Sequence, residues 1–547
     1  MNENTTISDY LIQRLQDVGI KHIFGVPGDY ILAFFKELEN SPIGVINTSD
    51  EQGAGFAADA YARTSGIGAV CITYSVGGLK VANTTAQAFA EKSPVLVISG
   101  SPGLNERTRD PLLHHKVKDF DTQLNIFREL TVAATALEDP RTACAEIDRV
   151  IDAVLRFKRP GYIEIPRDMV GVKLPDCRPE PQGERISPPK VLKEAVDEAV
   201  EFINRAKHPV LLAGVELSRF RLQDKLRELA DTTGFPVAVT PLAKSVISEN
   251  HPGYIGVYEG AMGREEVTNL VESSDALLML GTFLTDVNLG ICTAQLERGR
   301  SIYATSEKTF IRYHNYDGLR LEDVLDGLLD SRLRRRKIKK LPRPVRPKPV
   351  IPTQDGNLSV EFVFDRLSRF VDEKTVVLAD PGDAMFAGMD MVLPDGAEFI
   401  SPAYYTSLGF AVPAALGVQT ARPHKRPLVL VGDGAFQMTG MELSTIARFG
   451  LNPVIILLNN RGYGTERPMI DGRFNDVLDW EYSRIPEILK SGRGWKVATQ
   501  VEFENALREA KEYTDGFTLI DVQIDQRDIS KPLQRLTASL GKRARAE

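Results

Sequence analysis

Apolar residues at Ile7, Leu11, Leu15 and Val18 recur at helical spacing, and Gly19 then stops the pattern before a strand-like run at 20–26. Further short apolar runs follow at 44–46, 69–74, 94–100 and 162–165, separated by stretches rich in helix formers. The rhythm restarts near residue 188. It predicts helices over 191–206 and 222–233 and strands over 209–213, 236–240 and 276–281. A third round gives strands over 375–379, 428–431, 454–458 and 518–522, with a helix over 441–449 among the segments between them. Strands alternating with helices predict parallel sheets covered on both faces. The fold class is therefore α/β, with three consecutive doubly wound parallel-sheet domains, expected over 1–180, 188–330 and 356–547.

Between the second and third blocks, residues 331–355 break the pattern. Arg334-Arg335-Arg336-Lys337 is followed by Pro342, Pro344, Pro347 and Pro349, which suits a basic, proline-rich linker. A nucleic-acid-binding arm is the rival reading, but no aromatic residues are interleaved with the charges.

Composition narrows the class without naming a function. A chain of 547 residues, 43% hydrophobic and 26% charged, is a soluble globular profile. A formal charge of −7 gives no reason to expect nucleic acid or an anionic membrane as partner. No apolar run approaches the roughly 20 residues that span a bilayer, and residues 1–8 lack the basic and apolar regions of a secretory signal. The expectation is cytoplasmic. Cys71, Cys144, Cys177 and Cys292 are widely spaced, with no CxxC pair to make a zinc site; Cys71 lies in an apolar run and reads as a buried small hydrophobe.

The strongest chemical signal is a pair of strands, 428–431 and 454–458, that run into Gly432-Asp433-Gly434 and Asn459-Asn460. In open α/β sheets ligands sit beyond the carboxyl ends of strands, so the Asp433 and Asn460 oxygens can converge on one cation. Magnesium takes one or two protein oxygens plus phosphate oxygens, and a bare Gly434 at a helix start lets a diphosphate approach backbone N–H groups. Alone, either motif is more often a plain turn. Together they are specific, because the 24 residues from 435 to 458 make one βαβ crossover.

That spacing looks like the thiamine diphosphate signature, and the sequence resembles the pyruvate, indolepyruvate and phenylpyruvate decarboxylases, a 2-oxo acid decarboxylase family, over essentially its whole length. The resemblance implies two cofactors, thiamine diphosphate and Mg2+, with Asp433, Asn460 and Gly462 at the metal. It places Thr73, Asp383, Thr406, Leu408, Gly432, Gly434 and Ala435 against the coenzyme as well. Glu51, in Ser49-Asp50-Glu51-Gln52-Gly53, matches the acid that protonates the aminopyrimidine ring so that an ylid can form, and Leu408 matches the residue that props the coenzyme in its bent shape. By itself Glu51 reads as a helix-start carboxylate.

On the substrate side, Asp29, His114, His115 and Glu466 match the decarboxylase set. Loss of carbon dioxide leaves an enamine that must be protonated, so the reaction needs proton donors near neutral pH, and clustered carboxylates and histidines supply them. Taken singly, adjacent histidines on a loop are more often structural. Met385, Phe386, Leu408 and Met469 would form apolar walls. Pyruvate-specific relatives have a tryptophan and two isoleucines where this chain has Met385, Thr465 and Met469, which predicts a wider pocket for bulky aliphatic or aromatic 2-oxo acids. Thr406 replaces a glycine of those relatives, Arg461 intrudes between Asn460 and Gly462, and no cysteine occupies the position linked to substrate activation, so simple saturation kinetics are expected.

The family shares each coenzyme between two subunits, which implies at least a homodimer, paired into a homotetramer. Two rivals remain. An acetohydroxyacid synthase or oxidase would share Glu51 and the metal motif but lack His114-His115 and Glu466; a noncatalytic cofactor- or nucleotide-binding protein would keep the fold and lose the acid-base set.

Overall fold

Short apolar segments that are buried on both faces can only be satisfied inside parallel sheets flanked by helices, and the chain builds three of these. The computed structural model describes residues 5–175, 186–337, 340–344, 351–353 and 356–544. Cys177 and part of the basic segment lie outside them.

The first sheet has six parallel strands in the order Gly44–Asn47, His22–Gly25, Gly68–Ile72, Val95–Ser101, Gly161–Pro166, Ala133–Ala136. The third also has six, in the order Glu398–Ile400, Thr375–Ala379, Arg426–Gly432, Val454–Asn459, Thr518–Gln523, Arg493–Val497, again all parallel. Strands Gly68–Ile72, Val95–Ser101 and Val454–Asn459 are buried at every position. Their unbroken apolar runs have the same cause.

The middle sheet departs from the expected pattern. Tyr254–Val257, Val237–Val239, Pro209–Ala213, Ala276–Leu280 and Ser301–Ala304 are parallel, but Thr309–Ile311 and His314–Tyr316 extend the edge as an antiparallel hairpin. Each hairpin strand is three residues long, too short to show an alternation in sequence, and Arg312 supplies the turn at φ 53°. The expected helix over 441–449 is likewise split, into a 3-10 turn Gly440–Glu442 and a helix Leu443–Arg448. Glu442 turns inward to accept the backbone N–H groups of Ser49 and Asp50 at 3.2 and 3.0 Å.

The first and third units meet through two helices, Glu51–Ser65 and Ala411–Ala421, both rich in small residues. Gly417 lies where a side chain would collide with the Ala57 carbonyl oxygen. At the end of this seam the buried guanidinium of Arg63 pairs with Asp59 and Glu91, each at 2.8 Å. Lys92, also buried, pairs with Glu216 of the middle unit at 2.5 Å. The described part of the basic segment has no helix or strand. It is held nonetheless: Arg336 donates its backbone N–H to the Thr233 carbonyl at 2.7 Å and its guanidinium to the Ala206 carbonyl at 2.7 Å. Cys71 is a free thiol, fully buried in its strand, and burial pushes its pKa up. No helix among the described residues is long and apolar enough to cross a membrane.

Candidate active site

Strand order dictates where chemistry can collect. In the third sheet, Thr375–Ala379 and Arg426–Gly432 are neighbours whose following strands lie on opposite sides, so a crevice opens at their carboxyl ends. Asp380, Gly382 and Asp383 leave the first of these strands, and Asp433 leaves the second. Gly432 pairs in register with Leu458, which brings Asn459 and Asn460 out beside them.

Asp433 is 1% exposed. Its carboxylate accepts the Gly434 N–H at 2.8 Å and the Gly462 N–H at 3.0 Å. Burial nevertheless raises its pKa to about 6, against those hydrogen bonds. No cation among the described residues pairs with this buried carboxylate, and a divalent ion would supply the missing positive charge. Gly434 is tighter than the sequence suggested: a Cβ there would lie 2.6 Å from the Tyr463 ring, so its bareness also makes room for that ring. The helix starts at Asp433, with Gly432 as its cap and open space around the position a Cβ of Gly432 would take. Ala435 is buried in the same turn. Asn460 is half-buried, and its amide lies against Gly464, where any side chain would meet it.

Asp383 begins the helix Asp383–Met389, and burial raises its pKa to about 6 while Ser530 donates both its N–H, at 2.8 Å, and its hydroxyl to it. Thr465 reaches Gly382: a Cβ there would be 3.2 Å from the Thr465 hydroxyl. Met385 and Phe386, expected as pocket walls, are buried in the hydrophobic core of this unit, whereas Met469 is half exposed. Leu408 is half-buried against the core cluster that the first and third units share. It owes its position to Asp380, which sequence reasoning missed. Asp380 is fully buried, accepts the Gly409 and Ala411 N–H groups at 2.8 Å each, and has its pKa raised to about 7 by burial. Its only signal in sequence was an acid directly after an apolar strand.

The first sheet has the same logic. Its order reverses between His22–Gly25 and Gly68–Ile72, and Asp29, Glu51 and Thr73 all follow the carboxyl ends of adjacent strands. Glu51 opens its helix just after Asp50, whose side chain accepts the Gln52 N–H. It is 8% exposed. Thr73 packs its side chain against Gly28, and the Thr73 and Ser75 hydroxyls are buried without a hydrogen-bond partner. Such orphaned groups suit a polar ligand.

The loop after Val95–Ser101 folds back over this edge. His114 Nε2 lies 2.8 Å from an Asp29 oxygen, and with His115 the three groups present ligand or proton-bearing atoms within 4.8 Å of one another. Tyr30 stacks on His114 with ring centroids 4.7 Å apart and meets His115 edge-on at 5.8 Å. Arg167 covers the other side of the cluster, 5.0 Å from the Tyr30 ring and 3.6 Å from Asp29. His115 Nδ1 is buried and unpartnered. Sequence thus pointed to three residues that the fold brings together across 86 positions. Glu466 sits apart, exposed in the turn that follows Tyr463. No hydrogen bond or ion pair among the described residues joins Asp29, His114 or His115 to Glu51, Asp433 or Glu466.

Comparison with known proteins resolves what these two edges are. Residues 5–125 match the N-terminal TPP binding domain of thiamine pyrophosphate enzymes, 196–313 the central domain, and 384–522 the C-terminal TPP binding domain. The chain is 37% identical to an indole-3-pyruvate decarboxylase of Azospirillum brasilense, with 97% of each chain covered. The chain belongs to the thiamine pyrophosphate-dependent 2-oxo acid decarboxylases. A probable pyruvate decarboxylase of Schizosaccharomyces pombe is 34% identical over 97% of this chain and 95% of its own. An alpha-keto-acid decarboxylase of Mycolicibacterium paratuberculosis is 33% identical over 97% and 96%. For this decarboxylase, Asp29, Glu51 and Thr73 lie in the first matched TPP binding domain and Asp433 and Asn460 in the second.

Proposed function

We propose that this decarboxylase converts 2-oxo acids with bulky aliphatic or aromatic side chains to aldehydes and carbon dioxide, using thiamine diphosphate and Mg2+. The Asp29–His114–His115 cluster is the observation that carries the non-oxidative reading. Synthases transfer the reacting carbon to an acceptor and oxidases pass its electrons to one, whereas this chain places three acid-base side chains at the same sheet edge as Glu51.

Asp433, Asn460 and the Gly462 carbonyl hold the metal, while Gly432, Gly434 and Ala435 border the diphosphate at the start of the helix. Bound thiamine diphosphate supplies a nucleophilic carbon and an electron sink for the bond that breaks. Glu51 would bind the ring nitrogen, with the Thr73 segment, the Thr406 backbone and Leu408, whose turn is fixed through Asp380, as the remaining residues that would hold the ring portion. Asp383 meets the diphosphate end. His114, kept upright by Tyr30 and Asp29, moves a proton to the reacting carbon, and His115 is its neighbour in the same cluster. Glu466 and Met469, on the exposed turn after Tyr463, close over the substrate.

Support for pairing of chains comes from exposed apolar groups on that turn and on the loop of Leu112. Leu112 is 95% exposed, and Ile470, Phe474 and Leu478 are each at least 70% exposed. Apolar groups of this size favour burial against another surface. We read that surface as a second copy, giving a homodimer at least and a homotetramer by further pairing.

An aldehyde-release screen tests the reading. Specificity constants for phenylpyruvate and branched 2-oxo acids are expected to match or exceed that for pyruvate; a clear preference for pyruvate overturns the pocket assignment. Glu51→Gln is expected to reduce release by about 10²-fold or more, as loss of an acid-base group does. Undiminished release would remove Glu51 from the chemistry. Acetolactate or peroxide in place of aldehyde would favour the synthase or oxidase reading.

A further inference from the structure

The chain leaving the strand Gly68–Ile72 makes a tight turn. Ser75 has φ 52°, a left-handed conformation that a residue with a side chain keeps only where its surroundings fix it. Ser75 is 2% exposed, and its N–H donates to the side-chain oxygen of Gln123 at 2.6 Å. Two glycines shape the same turn. A Cβ at Gly78 would lie 1.9 Å from Gln123 Oε1, so the bare position makes room for that amide. A Cβ at Gly77 would lie 3.0 Å from the Thr73 carbonyl oxygen and 3.3 Å from Glu51 Oε1, so the turn lies beside the Glu51 side chain.

Gln123 is fully buried in the first turn of the helix Thr122–Leu130, which follows the loop of His114 and His115. Its Nε2 donates to the Ser99 hydroxyl at 2.8 Å and to the Tyr162 hydroxyl at 2.6 Å. Tyr162 donates in turn to the Glu164 carboxylate at 2.7 Å, and its ring stacks on Phe127 of the same helix with centroids 4.4 Å apart. A backbone N–H can only donate, so the amide oxygen must face Ser75 and the NH2 group must face Ser99 and Tyr162. Turning the amide over would set donor against donor at Ser75. Tyr74 adds a second tie, its hydroxyl donating to the Phe120 carbonyl at 2.9 Å just ahead of the helix.

Resting on the reading of Glu51 and the Thr73 segment as the ring-binding side, we propose that Gln123 is a positioning residue for the coenzyme ring. It acts through Ser75: by holding that N–H from within the core, it fixes the turn that sets Thr73 and Gly77 beside Glu51. The Thr73 and Ser75 hydroxyls, buried without hydrogen-bond partners, then keep one arrangement before the coenzyme arrives. A ring that meets partners already in place loses less to ordering on binding. Without the amide, the left-handed turn relaxes toward the ordinary backbone region, and ring binding must first restore it.

The experiment is calorimetric titration of thiamine diphosphate, and separately of inorganic diphosphate, into the full-length protein with Mg2+. Inorganic diphosphate probes the Asp433 end alone. Gln123→Met keeps the bulk of the side chain and removes both of its hydrogen-bonding ends. It is expected to weaken thiamine diphosphate binding about tenfold, the scale of a buried hydrogen bond lost with its partner left unsatisfied, and to leave inorganic diphosphate binding unchanged. In a Ser75→Gly background the same substitution is expected to weaken binding less, because glycine takes a left-handed turn unaided. Tyr162→Phe, which removes one group that orients the amide and leaves Gln123 in place, is expected to act in the same direction by less; it carries the test where Gln123→Met does not fold. Undiminished thiamine diphosphate affinity in the folded variant overturns the proposal, as does an equal loss for inorganic diphosphate or an equal loss in the Ser75→Gly background. If Glu51→Gln leaves thiamine diphosphate affinity unaltered, the ring-binding reading falls first, and the two failures are told apart.

Discussion

Thr406 places a β-branched side chain at φ 56°, a left-handed conformation that costs a residue of this shape on the order of 1–3 kcal/mol. Its N–H is tied to the Pro402 carbonyl at 3.0 Å, so the turn into Leu408 holds the strain in place. Thr406→Gly is expected to raise stability by about 1 kcal/mol, the strain relief exceeding the added freedom of the unfolded chain. Urea unfolding of the two proteins checks it, and a lower midpoint for the glycine variant would show that the turn is unstrained. Arg461 has φ 59°, so both departures from the family pattern noted in sequence occupy the same unusual region. Sequence could name those positions because the motifs around them are contiguous. It could not reveal Asp380, whose partners lie at least 29 residues away and whose importance rests on burial and direction.

At the scale of elements, the parallel strands were legible because burial on both faces leaves an unbroken apolar run. The edge hairpin at 309–316 was not, since three-residue strands at a sheet margin show neither a run nor a period. The helix pair at the centre of the molecule was half legible: Gly53–Ala62 shows as a small-residue helix, but nothing local says that Ala411–Ala421 is its partner. Gly417 is a point of close approach between them. Gly417→Ala forces the new methyl onto the Ala57 carbonyl and is expected to cost about 1–3 kcal/mol, the range for overpacked interiors. Glycine-to-alanine in a solvent-facing helix is mildly stabilising instead, so the sign of the change in thermal unfolding decides the matter.

For the whole molecule, buried carboxylates set the pH response. Burial raises Glu259 to about 8, and Asp380 and Glu164 to about 7, above their unfolded values. An acid whose folded pKa is raised destabilises the fold when ionised, and that penalty is fully present above the folded pKa. It is relieved as pH falls toward the unfolded value. His22, lowered by burial, acts in the opposite sense as one group against three. Stability of the cofactor-free chain is therefore expected to rise from pH 8 to pH 6, by up to roughly 1.4 kcal/mol per pH unit for each net proton bound on folding. Denaturant midpoints at the two pH values check this, and a fall on acidification would contradict it. If Asp433 holds magnesium as proposed, adding the ion is expected to weaken the trend, because it favours the ionised carboxylate.

The uncovered leucine, isoleucine and phenylalanine side chains on the loops at 112 and 470–478 bear on how the enzyme comes to exist in a cell. If these groups are covered by a second copy, as proposed above, a newly made chain carries adhesive patches until it meets its like. Slow synthesis or high dilution would then lengthen that wait and invite capture by the wrong surface, so yield of working enzyme would depend on crowding of its own kind as much as on the strength of any single fold.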